Sequence, residues 1–210
     1  MRRRNLKVFL ALVMLTTASV PALPDTSKNA ADGVSMELVG QVNNAGASSF
    51  QFGYLTYING IDTATIFSGT PQNETTALFS FHNDTTTRRV IDNGPMRIID
   101  RDGTSTIYLN TVPDGDFANP ASFTDGTPVL AASLRHQVII DTVTGSFTAT
   151  FVLTVTSNES FSLGDENFRL GKVGQTLRLT FIGHLNTPAP PAGHIAGFVV
   201  GGDLTRLGAD

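Results

Sequence analysis

The chain has 210 residues, 40% of them hydrophobic and 15% charged, with 14 Lys+Arg against 18 Asp+Glu and no cysteine. That composition describes a folded protein and excludes a disordered one. It also excludes disulfide staples, thiol nucleophiles, iron–sulfur clusters and cysteine-bound zinc, so stability must come from the core.

The first element is a targeting element. Arg2, Arg3, Arg4 and Lys7 precede an apolar run from Val8 to Leu15, and small residues follow as far as Ala22. A basic n-region, a short h-region and a small-residue exit predict a secretory signal peptide over residues 1–22. The apolar run is too short to span a bilayer, which takes about 20 apolar residues. No later run is longer, so no membrane-spanning segment is expected in the mature chain, and its expected location is secreted or periplasmic. Arg3-Arg4 matches a twin-arginine export signal only loosely, and an ordinary basic n-region is the simpler reading. Without residues 1–22 the chain carries 10 Lys+Arg against 18 Asp+Glu, a net charge of −8, and its only lysines are Lys28 and Lys172. Such a chain is a poor ligand for nucleic acid or anionic lipid. Its acidity reads as solubility.

Residues 23–34 are small and polar and read as a flexible mature N-terminus. Residues 35–186 are threonine-rich, with phenylalanines, β-branched residues and turn signals at short intervals and no useful helical period. They predict one all-β, mainly antiparallel domain, a barrel-like meander with a β-sandwich as the alternative. Phe50, Phe52 and Tyr54 mark one strand; Ala77, Phe79 and Phe81 mark another. Residues 96–109 read as a hairpin about Asp102-Gly103, because Asp-Gly suits a tight turn with positive φ. Pairing Arg101 with Thr104 then sets Ile98 opposite Ile107, and Met96 opposite Leu109. Residues 113–127 form a long surface loop.

The next stretch carries the clearest register. Leu130, Ala132, Leu134, His136, Val138 and Ile140 alternate with polar residues. After a turn at 142–145, Phe147, Ala149, Phe151, Leu153 and Val155 alternate again. Pairing Asp141 with Ser146 matches Ile140 to Phe147, Val138 to Ala149, His136 to Phe151 and Leu134 to Leu153. A one-residue slip would expose the whole apolar set. Leu177, Leu179, Phe181 and Leu185 give one face of a further strand. Residues 187–210 read as a Pro-rich linker and a final strand and tail, with residues 195–200 returning to close the sheet.

His136 is the odd residue, a titratable group on an apolar face. It is either a polar group aimed into a ligand cavity or a core histidine satisfied by a neighbour. With Phe151, Leu134 and Phe181 it makes the candidate ligand-binding set. A metal site from His82, His136 and His184 is disfavoured, because His136 and His184 fall on opposite faces of their strands. Asp114, Asp116 and Asp125 lack an EF-hand spacing and read as turn residues. Arg88 and Arg89, adjacent on a strand, are expected to point to opposite faces. No nucleophile elbow and no phosphate-binding glycine loop is present. No cofactor or metal is expected, and the sequence does not set the oligomeric state.

The residues favour an exported, non-catalytic barrel-like module that binds a small apolar or amphipathic ligand. The rival is a small-barrel isomerase or cyclase acting on an apolar substrate, with His136 as its polar group. A third reading is an outer-membrane barrel, against which the absence of tryptophan and of aromatic girdles counts. The export signal makes the first testable statement: the secreted protein should be cleaved after Ala22. N-terminal sequencing should read from Leu23, and a secreted chain that still begins at Met1 would contradict it.

Overall fold

The computed structural model describes residues 34–207. The predicted signal peptide and all but the last residue of the predicted flexible segment lie outside the described residues. The strands are β1 (Val34–Ala45), β2 (Ser48–Ile58), β3 (Phe79–Asn93), β4 (Met96–Leu109), β5 (Thr127–Asp141) and β6 (Ser146–Asn158). There follow β7 (Ser160–Leu163), β8 (Glu166–Leu170), β9 (Thr176–Leu185), β10 (Gly193–Val200) and β11 (Leu204–Leu207). Eight of them form a closed antiparallel barrel in the order β1-β10-β9-β6-β5-β4-β3-β2, and β11-β8-β7 form a separate three-stranded sheet. The all-β expectation holds, and the architecture is the barrel rather than the sandwich.

The alternation of β5 and β6 explains the best-read wall. Leu134, His136, Val138 and Ile140 are buried while Ser133, Arg135 and Gln137 are exposed. The observed partners are Ile140↔Phe147, Val138↔Ala149, His136↔Phe151 and Leu134↔Leu153, the register expected from the apolar sets. The turn between them is held by Asp141, whose Oδ1 accepts from Val143 N at 2.8 Å and Thr144 N at 3.2 Å. Across the Pro-rich segment, β10 pairs with β9 on one side and β1 on the other, and this closes the barrel.

The two ends differ. One end has short links: Gly46-Ala47, Gly94-Pro95, residues 142–145 and residues 186–192. The other has the long links and the three-stranded sheet. There Phe161 packs edge-on against Phe79 at 5.3 Å and lies against Phe168 at 5.8 Å, and all three rings are buried. Burying a large apolar side chain contributes roughly 1.5–3 kcal/mol, so this plug is a substantial part of the core.

The hairpin expected at Asp102-Gly103 is not there. Strand β4 runs straight through it, with Gly103 paired to Thr85 on one side and Leu134 on the other. Ile98 therefore pairs with Ile91 and Ile139, and Ile107 with Phe81 and Leu130; the two isoleucines never meet. The turn lies earlier, at Gly94-Pro95, where Gly94 takes φ 60° and Asn93 pairs with Met96. A proline that cannot donate to the ladder ends the strand there. Gly103 serves close approach instead. A Cβ at that position would run into the Asp84 carbonyl oxygen and lie 2.8 Å from Thr85 Cα.

Two further expectations shift. A bulge between Thr87 and Arg89 interrupts the β3–β4 register, so Arg88 and Arg89 both reach outward rather than to opposite faces. Arg88 pairs with Asp102 at 2.9 Å, and Arg89 Nε donates to Asp100 at 2.8 Å. The loop after β4 is not merely surface. Its short 3-10 helix, Pro120–Phe123, lays Phe123 on Phe52 at 5.5 Å, on the outside of β2. The apolar face of β2 read from sequence is thus the outer one at Phe52, and the inner one carries Ser49 and Gln51.

Threonines 148, 150 and 154 and Arg135, Gln137 and Arg178 stand on the outer face of β5, β6 and β9, and the apolar sets face inward. That is the reverse of a lipid-facing barrel, whose apolar band points outward. The close approach at Gly103 sets the second testable statement. Gly103→Ala should lower stability by about 2–3 kcal/mol through overpacking, while Thr104→Val, exposed one residue on, should stay within about 0.5 kcal/mol of wild type. Urea denaturation of both variants decides it; equal midpoints would refute the close-approach role.

Candidate functional site

A cavity of about 50 Å³ opens at the end with the short links. Its wall on β5, β6 and β10 is apolar: Val138, Ile140, Phe147, Ala149, Phe151 and Ile195. Phe181 and Leu185 of β9 continue it. Its polar lining is Asn44, Gln51, Arg101 and His136, the last beside Val138 on β5, with Val42 and Ile99 among them. Asn44 is exposed and Leu185 half-buried, so the cavity meets solvent there.

The fold makes this asymmetry strand by strand. On β6, β9 and β10 the inward positions are apolar, and Gly197 lets the Phe181 ring lie flat, its Cδ1 only 2.7 Å from where a Cβ would stand. On β2, β3 and β4 the inward positions include Ser49, Gln51, Asn83, Thr85, Arg101 and Ser105, all buried. Cross-strand pairing assembles them: Gln51↔Asn83↔Ser105 form one row, and Thr87↔Arg101↔His136↔Phe151 another.

An aromatic ladder connects the two halves. Phe81 stacks on Phe181 at 6.1 Å, Phe181 meets Phe151 edge-on at 5.0 Å, and Phe151 stacks on His136 at 4.3 Å. The ladder ends on charge. Arg101 Nη1 donates to His136 Nε2 at 3.3 Å, Nε donates to Thr87 Oγ1 at 3.1 Å, and Nη2 reaches Asn44 Oδ1 at 3.5 Å. A guanidinium only donates, so His136 Nε2 accepts and the ring proton sits on Nδ1. Burial, and then the Arg101 charge, push the His136 pKa down to about 3, so the ring is neutral. Burial also lowers Arg101 from its usual value.

Several interior polar atoms have no hydrogen-bond partner: His136 Nδ1, Gln51 Oε1, and both amide atoms of Asn83. Gln51 Nε2 donates to Ser49 Oγ at 2.8 Å, and Thr85 Oγ1 donates to the Ser49 carbonyl at 2.7 Å. Buried polar groups are normally paired, and leaving one unpaired costs about 1–3 kcal/mol.

Of the residues proposed from sequence, His136, Phe151 and Phe181 line the cavity together. Leu134 is buried beside Gly103 and Leu153 and forms no part of its wall. Sequence reading missed Arg101, Gln51 and Asn44. The signal for Arg101 was present, since Ile99, Arg101, Gly103, Ser105 and Ile107 alternate; the assumed turn at Gly103 broke the series. The remaining histidines stand elsewhere. His184 is exposed on the outer face, opposite His194 of β10, and His82 lies outside near Phe50 at 6.0 Å. No group of three or more His, Cys, Asp or Glu side chains suited to a metal ion occurs among the described residues. Asp114 and Asp125 share Asn110 Nδ2, at 3.3 and 3.0 Å, within their loop.

Comparison with protein-family models, with curated proteins and with solved structures finds no match for this chain. The chemistry of the cavity must carry the functional argument.

The neutral His136 has a measurable consequence. Its folded pKa lies below the unfolded value of about 6.5, so the unfolded chain takes up the proton first. No penalty exists above about pH 6.5, and stability falls as pH drops toward about 3, by up to roughly 1.4 kcal/mol per pH unit. His136→Leu should remove that part of the slope between pH 7 and 4. Parallel stability profiles for wild type and variant would place the ring in contact with water.

Proposed function

We propose that this chain is an exported, non-catalytic barrel that holds a small apolar or amphipathic ligand in the cavity at its short-link end. The observation that carries this reading is the composition of the cavity. An apolar, aromatic-floored hollow with a few convergent polar groups is the usual form of a small-molecule site. Export rests on the basic and apolar pattern of residues 1–22. The 50 Å³ hollow holds several water-sized volumes, each needing about 10–15 Å³. It therefore suits a slender or small group rather than a bulky one.

One observation favours a second reading, the isomerase or cyclase. A neutral His136 with a free Nδ1–H beside a buried guanidinium is a donor pair that can polarise a carbonyl or stabilise a developing oxyanion. An apolar substrate held against Phe151 would then be rearranged without a nucleophile. Turnover of the bound molecule separates this reading from simple binding.

Native mass spectrometry of the protein purified from its own host tests the proposal. A retained small molecule is the expected result. Ala149→Leu grows into the hollow from β6 and should release that molecule while leaving the fold intact. If the wild type carries nothing, or if the variant keeps its ligand, the cavity is not the site. His136→Leu then addresses the enzyme reading, since it should abolish turnover while the apolar part of the ligand is still held.

A further inference from the structure

We infer that the ligand is an acid: a small monocarboxylate with a short or slender apolar tail, its carboxylate held by Arg101 and His136. This rests on the cavity being a ligand site, as proposed above, and specifies what enters it.

Arg88, Arg89, Arg97 and Arg206 stand at the surface, and each pairs with a carboxylate. Arg101 is buried, and its partners are a threonine hydroxyl, an amide oxygen and a neutral imidazole. Among the described residues it has no ion pair. This inverts the usual economy, because exposed ion pairs contribute little and a buried charge without a counter-charge is costly. Arginine does not escape by losing its proton. The charge therefore stands ready for an anion that the described residues do not supply.

The second observation is the kind of hydrogen-bonding capacity left unused. His136 is 4% exposed, lines the cavity, and leaves Nδ1–H unpartnered. Arg101 lines the same cavity and has N–H groups left over from its three bonds. Both are donors, so the complementary group is an acceptor, and the charge makes it an anion. Gln51 does not oppose this. Ser49 Oγ can donate as well as accept, so the Gln51 amide can turn its NH₂ to the cavity and keep that bond. A planar carboxylate has two oxygens to share between a guanidinium fork and a neighbouring N–H.

The third observation selects a carboxylate over an inorganic anion. Val138, Ile140, Phe147, Ala149 and Ile195 make up the apolar lining of the hollow that the donors share. A fully hydrated or multiply charged anion would leave most of its oxygens against hydrocarbon. An acid with an apolar tail satisfies both walls at once.

Calorimetric titration of the purified mature protein with acetate, butyrate and hexanoate, with the matching alcohols, with hexylamine and with inorganic phosphate tests this. The chosen variants are Arg101→Met and, as a surface control, Arg88→Met. The longest acid that enters should bind wild type about ten- to a hundred-fold tighter than its alcohol, the range for a hydrogen bond to a charged group. Arg101→Met should erase that preference and leave alcohol binding unchanged, and Arg88→Met should behave as wild type. Replacing a buried unpaired charge by an apolar chain should hold or raise the melting temperature. Equal binding of acid and alcohol to wild type would overturn the acid assignment and leave the cavity standing as an apolar site. Binding of no acid and no alcohol would overturn both readings. Phosphate bound as tightly as the acids, or amine preferred over acid, would overturn the carboxylate. Should Arg101→Met fail to fold, Arg101 is structural unless Arg101→Gln folds and shows the same lost preference.

Discussion

The pairing of β10 with β1 is the constraint on which this architecture depends. Without it, the eight antiparallel strands laid side by side would leave two open edges and an apolar face with nothing to cover it. The ladder from Val42↔Gly193 to Val34↔Val200 removes both edges and turns the face inward. Closure also fixes how much room is inside. Eight strands enclose just enough space for side chains to fill, so each large ring needs a small neighbour. Gly197 under Phe181 and Gly53 near Phe81 are where the wall gives way, with candidate Cβ positions 2.7 and 3.0 Å from those rings.

Within that closed space the two walls are chemically unlike, and the unlike halves meet at His136. Its ring stacks on Phe151 and accepts from Arg101, so one residue belongs to both the apolar and the polar side. The long links at the opposite end make this arrangement affordable to the fold. Phe79, Phe161 and Phe168 plug that end, and Phe123 covers Phe52 outside β2. These rings add hydrophobic burial at the end away from the cavity, so the fold does not depend on the polar interior near the short links alone.

The fold was legible in the sequence wherever one apolar face alternated with a polar one. The β5–β6 register follows from parity alone, and so does the inward face of β9 at Leu177, Leu179 and Phe181. It became illegible where local turn chemistry competed with strand continuity. Asp102-Gly103 and Asn93-Gly94-Pro95 both carry turn signals, but only the second also ends a strand, because proline lacks the ladder donor. The first glycine is there for the neighbouring backbone of Asp84 and Thr85. At β2 parity marks the apolar face but not its direction: Phe52 is buried from outside by a loop distant in sequence. Burial by a loop leaves no periodic trace.

The site was half legible for the same reason. His136 stood out because it broke an apolar alternation; Arg101 did not, because its alternation with Ile99 and Ile107 was cut by the assumed turn. Restoring that one strand brings the guanidinium across from the imidazole, where its charge adds to burial in keeping the ring neutral. It also settles which ring nitrogen is free. A buried arginine beside a histidine that cannot donate back leaves this pair with unused donors and no unused acceptor. Such a pair is poorly suited to holding a core together and well suited to receiving an acceptor from outside. The stability given up there is the feature that distinguishes this interior from a simply packed barrel.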